Sequence, residues 1–182
     1  MVAGSACEDE AMTELNSVLT DLAGRITDTL DGVVDGLDQD TAERVPAEGS
    51  NTICWLLWHS ARGIDLQLRG LTGDDQRWVE WKPRLGIPLA DDQLGSGEMG
   101  YGQSPADAAK VVAPVGELAA YLRVVTDDLV DYCSRVTGAE LAKVIDENWD
   151  PPVTAGVRLV SLIDDVIQHL GAAAYLRGFF GG

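Results

Sequence analysis

Histidine occurs only twice in the 182 residues, so any imidazole chemistry must be carried by His59 and His169. Basic residues are also few. Thirteen Lys and Arg face thirty Asp and Glu, which leaves a formal net charge of −17 and a pI near 4.2. Binding driven by neutralised phosphates has little to draw on in such a chain, so neither nucleic acid nor an anionic membrane surface is an expected partner. Cysteine is short as well: Cys7, Cys54 and Cys133 are odd in number, widely spaced and free of any CxxC pattern. That argues for reduced thiols over a disulfide framework or a cysteine zinc site, with Cys54 and Cys133 packed as small hydrophobes. No run of eighteen apolar residues occurs, and Met1 to Glu10 lacks a basic stretch leading into an apolar one, so the expected location is cytoplasmic. What is plentiful is apolar mass, at 46% of residues, which excludes disorder and fits a single domain over residues 1–182.

Apolar periodicity divides that mass into helices. Leu15, Val18, Leu19, Leu22, Ile26, Leu30 and Val33 step by three and four, predicting a first helix from Glu10 to about Gly36. After Pro46 and Gly49, a second runs from Thr52 to Leu71 on Ile53, Leu56, Leu57, Ser60, Ile64, Leu68 and Leu71. Periodicity then fails from Asp74 to Gln103, where Gly95, Gly97, Gly100 and Gly102 mix with Trp78, Trp81 and Tyr101. A connection this long is functional or hides a short helix such as Asp75 to Trp81. Ser104-Pro105 opens a third helical segment, broken at Pro114, whose main part extends to Val136 on Leu118, Tyr121, Leu122, Val125, Leu129 and Tyr132. A turn of helix is expected near Ala139 to Val144, a rigid connection over Glu147 to Pro152, and a last helix capped by Thr154 and reaching about Gly178, with Val157, Val160, Ile163, Val166, Ile167 and Leu170 inward. The fold class is therefore all-α, a four-helix bundle with a long glycine-rich connection between its second and third helices. Short links favour up-down-up-down order, and the long connection can instead carry a crossover.

Two places can carry chemistry. Asp165 and His169 are four apart, which stacks a carboxylate and an imidazole one turn apart on one helix face. His59 lies in the apolar run Trp55-Leu-Leu-Trp58-His59, where an inward imidazole must find a partner. If the second and last helices are neighbours, His59, Asp165 and His169 form a two-histidine, one-carboxylate metal site with positions open for water or substrate, and zinc suits those donors. The plainer readings are a surface Asp–His hydrogen bond and a satisfied core histidine. Arg62, on the face of His59, either holds an anion beside the metal with Asp65 as orienter, or forms a solvated ion pair with Asp65. Trp149 either walls a pocket or staples its turn to the bundle.

Three segments together resemble the DinB/YfiT-like metal-binding bundles, and within them the mycothiol S-transferases and the amino-terminal domain of mycothiol-dependent maleylpyruvate isomerases. They are Trp55-Leu-Leu-Trp58-His59-Ser-Ala-Arg62-Gly-Ile-Asp65, Asp146-Glu-Asn-Trp149-Asp-Pro-Pro-Val-Thr154 continuing to Arg158, and Asp165-Val-Ile-Gln168-His169-Leu-Gly171 running on to Arg177. The stretch Gly97 to Pro105 is also similar to that group's entry into its third helix. The resemblance implies a divalent metal, most simply zinc, on His59, Asp165 and His169. It departs at Ala172, where the family often has Gln.

The activity implied is thiol activation, in which mycothiol or a similar small thiol is deprotonated as a metal ligand and attacks an electrophile. Trp55, Trp58 and Tyr101 are expected to line the pocket and Arg62 to grip the anionic end of the thiol. The expected partners are a small thiol and an electrophile, and the chain is expected to be a monomer or homodimer. A bundle that binds metal without turnover is the alternative from another class. The isomerase reading is weaker, because those enzymes carry a second domain that these residues lack.

Overall fold

The computed structural model describes residues 3–181, with side chains described from Glu10 onward. In chain order its elements are α1 (Ala3–Val34), α2 (Gln39–Glu43), α3 (Ile53–Thr72), α4 (Trp78–Leu85), a 3₁₀ turn at Asp91–Gln93, α5 (Pro105–Ala108), α6 (Val115–Arg135), α7 (Gly138–Ala142), β1 (Val144–Asp146), β2 (Val153–Thr154) and α8 (Ala155–Phe180). The four long helices α1, α3, α6 and α8 form the bundle. Local chemistry ends them where the sequence signals it. The Thr52 hydroxyl accepts from the Trp55 amide at 3.1 Å, Thr154 accepts from Val157 at 3.3 Å, and Gly73 and Gly181 close α3 and α8 in the left-handed region.

The order of the helices around the bundle differs from the expected ring. α1 packs on α6 and α8, and α3 packs on the same two, so α1 and α3 are diagonal, as are α6 and α8. The first and third links therefore cross the bundle ends, while the long glycine-rich connection joins the neighbours α3 and α6. The first link makes its crossing as structure: α2 buries Ala42, and Gln39 donates to the Ala113 carbonyl at 2.9 Å and accepts from the Val115 amide at 3.0 Å, tying the link to the start of α6. The resulting α3–α8 contact is the neighbour relation that a shared site requires.

Three local expectations are corrected. The short helix begins at Trp78, later than Asp75, because its first amides are capped from a distance: Asp65 of α3 accepts from the Arg77 amide at 2.9 Å and from Trp78 at 2.7 Å. The chain after α7 is a strand at Val144, pairing antiparallel with Val153 and Thr154, since β-branched residues flank the Asp146 to Pro152 turn. The inward faces also shift. On α1 the core residues are Leu19, Ala23, Ile26, Leu30 and Val33, leaving Leu15, Val18 and Leu22 partly exposed; on α8 they are Leu159, Leu162, Ile163, Val166, Leu170 and Ala173, with Val157 and Val160 outside. α8 is apolar nearly all round, so periodicity alone selects its face poorly. It is long enough to cross a membrane, and an 18-residue window in it reaches a mean hydropathy of 1.2, but Asp164 and Asp165 interrupt the helix and its inner face is in the bundle.

Cys54 and Cys133 are buried free thiols, and burial pushes them up to about 12 and about 11. Cys7 lies outside the described side chains.

Candidate metal centre

His59 enters from the middle of α3, and Asp165 and His169 enter one turn apart from α8. One donor atom from each lies within 4.8 Å of the others. The His59 Nε2 is 3.7 Å from one Asp165 carboxylate oxygen, and the two imidazole centroids are 4.6 Å apart. Each ring is also oriented through its other nitrogen: the Nδ1 of His59 donates to the Met99 carbonyl, and that of His169 to the Asp165 carbonyl at 2.6 Å. Those bonds place the protons on Nδ1 and leave both Nε2 lone pairs available, the tautomer a metal needs. Two neutral imidazoles and a carboxylate fit a divalent ion such as zinc.

The site is closed on one side and open on the other. Trp55 stacks on His59 at 4.5 Å with planes 12° apart, while its indole N–H donates to Gln103 at 2.8 Å. The Asp165 side chain is 40% exposed, which leaves an approach from solvent.

The other predicted site residues take different places. Trp58 is fully buried, edge-on to Trp55 and tilted against Trp78, and supports the glycine-rich segment from beneath at Gly100. Tyr101 is 75% exposed. What its segment delivers to the histidines is the Met99 carbonyl. Arg62 is 1% exposed and all five of its N–H groups are engaged: Nε donates to the Glu98 carbonyl at 2.8 Å, Nη2 to Gln76 and the Gly97 carbonyl at 3.0 Å each, and Nη1 to Asp65 and the Tyr121 hydroxyl at 3.2 Å each. A guanidinium so occupied has no donor left for an anionic thiol. It is a buried pair of Asp65, and it fastens the glycine-rich segment to α3.

Met99, Glu98 and Gln103 were not singled out by sequence reasoning. Glu98 has the one positive φ outside glycine among the described residues, 52°, and its carboxylate accepts from the Trp78 indole at 2.6 Å and from Lys82 at 2.7 Å. The glycines were the available signal. At Gly100, with φ of 91°, a Cβ would stand 2.7 Å from the Trp55 ring, so only glycine lets the segment lie against the indole that backs His59. Trp149 is 66% exposed and lines a groove, which favours a pocket wall over a staple.

The model of the DinB superfamily matches residues 23–173. A crystal structure titled as the conserved protein of locus from Enterococcus faecalis is 31% identical, covering 90% of this chain and 95% of its own with a TM-score of 0.81. No curated protein matches the chain.

Proposed function

The chain belongs to the DinB superfamily, and on that premise we propose that it is a divalent-metal-dependent S-transferase, with zinc as the metal, that joins mycothiol or a similar small thiol to an electrophile. The observation that supports this reading is the convergence of His59, Asp165 and His169 with both imidazoles held in the ligand tautomer. These three residues would hold the ion, and a bound zinc lowers the pKa of a coordinated thiol well below its free value of about 8.5. The chain's own groups do the rest. Met99 and the α8 backbone orient the rings, Trp55 excludes water from the α3 side, and the exposed edge at Asp165 admits the two substrates. Arg62 serves as a positioning residue through the Gly97 and Glu98 carbonyls.

Elemental analysis of the purified protein, followed by a panel of small thiols coupled to a bimane-type electrophile, tests both levels. Stoichiometric metal that is lost in His59→Ala, together with coupling that depends on it, is the expected result. Protein without stoichiometric metal, and with its thermal stability unchanged by His59→Ala, sinks the metal. Metal without coupling sinks the transferase and leaves the alternative of a binding bundle without turnover, which Ala172 in the usual Gln position favours.

A further inference from the structure

A groove of about 660 Å³ runs along the α3–α8 seam away from the histidines. Met99 lies at its site end, since the same residue's carbonyl orients His59; Leu66 and Val157 line it from α3 and α8, as do Ile145 from β1 and Trp149 from the β1–β2 turn. Most of its lining is apolar, and the single cation among the described lining residues is Arg158. This arginine is the opposite of Arg62. Its side chain is 32% exposed, its ion-pair partner Asp146 stands 4.0 Å away, and among the described residues it makes no hydrogen bond. A planar fork of N–H donors facing an apolar groove is suited to a carboxylate. In a chain of net charge −17 such a cation is a selective feature, because most of the surface repels anions. Asp165 lies seven positions beyond Arg158 on α8, an axial distance of roughly 10 Å.

We infer that this groove binds a small organic acid with an alkyl or aromatic body, its carboxylate held by Arg158 and its other end toward the three site residues. The apolar lining assigns this acid to the electrophile, since a sugar-based thiol would leave its hydroxyls unpaired there. The assignment of the acid as a substrate rests on the transferase reading proposed above, whereas its binding does not.

Calorimetry on the full chain stripped with EDTA separates the two. The probes are 4-phenylbutyrate, its neutral amide, and glutathione as a carboxylated thiol. The acid should bind about tenfold or more tighter than the amide. Arg158→Gln should abolish that preference, Arg158→Lys should restore most of it, and Trp149→Ala should weaken acid and amide alike. Equal affinity for acid and amide, or a preference that survives in Arg158→Gln, overturns the proposal. Glutathione bound through Arg158 while phenylbutyrate is not bound overturns the assignment to the electrophile. Because no metal is present, a failure of the metal or transferase reading leaves these outcomes readable.

Discussion

Replacing Arg62 with Ala removes five donors at once from a residue that is 1% exposed. Asp65, itself buried, loses its closest charge partner at 3.2 Å, and the carbonyls of Gly97 and Glu98 lose theirs. Breaking a buried ion pair from one side costs about 3–5 kcal/mol. Asp65 keeps the Arg77 and Trp78 amides and the Tyr121 hydroxyl at 2.7 Å, which places the cost near the lower end, about 3 kcal/mol. The guanidinium also lies 4.6 Å over the Trp78 ring, which adds about 1 kcal/mol. For a chain of this size each kcal/mol lowers Tm by about 2–4 °C, so circular dichroism should record a fall of roughly 8–16 °C. Limited proteolysis should open the glycine-rich segment first. Arg62→Lys should be intermediate, because a compact ammonium cannot reach the two carbonyls and the carboxylate together. An Arg62→Ala protein within about 1 kcal/mol of the parent, with its segment intact but its turnover lost, would refute this reasoning and return Arg62 to a substrate-gripping role.

Gly100→Ala forces a methyl group to 2.7 Å from the Trp55 ring at a φ of 91°. It should cost about 1–3 kcal/mol for overpacking with about 1–2 more for the backbone, and weaken the proposed metal binding in a competition titration; unchanged stability and affinity would contradict the close approach. Cys54 and Cys133, with thiols pushed up to about 12 and about 11 by burial, should resist alkylation near neutrality until the protein is denatured, as peptide mapping would show. Burial raises the Asp128 carboxyl, but the hydrogen bond from Arg77 and the charges of Arg69 and Arg77 outweigh it and hold the folded value below the ordinary one. Its stabilisation is complete above the unfolded value of about 4 and is lost as pH falls through the lower folded value. The Tm gap between parent and Asp128→Asn should therefore narrow as pH falls below the unfolded value of about 4, and a gap independent of pH would show that Asp128 acts otherwise.

Helix identity and the placing of Asp165 and His169 on one helix face were legible because both are local. The α3 stripe from Ile53 to Leu68 and the spacing of Asp165 and His169 follow from a 3.6-residue repeat that one sequence displays in full. The diagonal placement of α1 and α3 was not legible, since the crossing is made by α2, five residues whose anchor is a single Gln39 side chain reaching the start of α6. Arg62 was misassigned for a related reason. Its partners are backbone carbonyls 35 and 36 positions away, and carbonyls carry no sequence signature. Trp58 was placed in the pocket on type alone, whereas the fold turns it under Gly100. The faces of α8 were ambiguous because apolar residues surround it.

The Met99 carbonyl that orients His59 belongs to a segment built from turns, closed by the pairing of Ser96 with Tyr101 and by the Gly100 amide donating to the Leu94 carbonyl at 2.8 Å. An imidazole and a loop joined by one hydrogen bond share one equilibrium. Whatever steadies the ring steadies the segment by the same free energy, and reciprocally a segment that opens releases the ring to its other tautomer. Amide exchange between Leu94 and Gly102 is therefore a gauge of occupancy at the histidines, readable from a part of the chain that supplies no ligand atom.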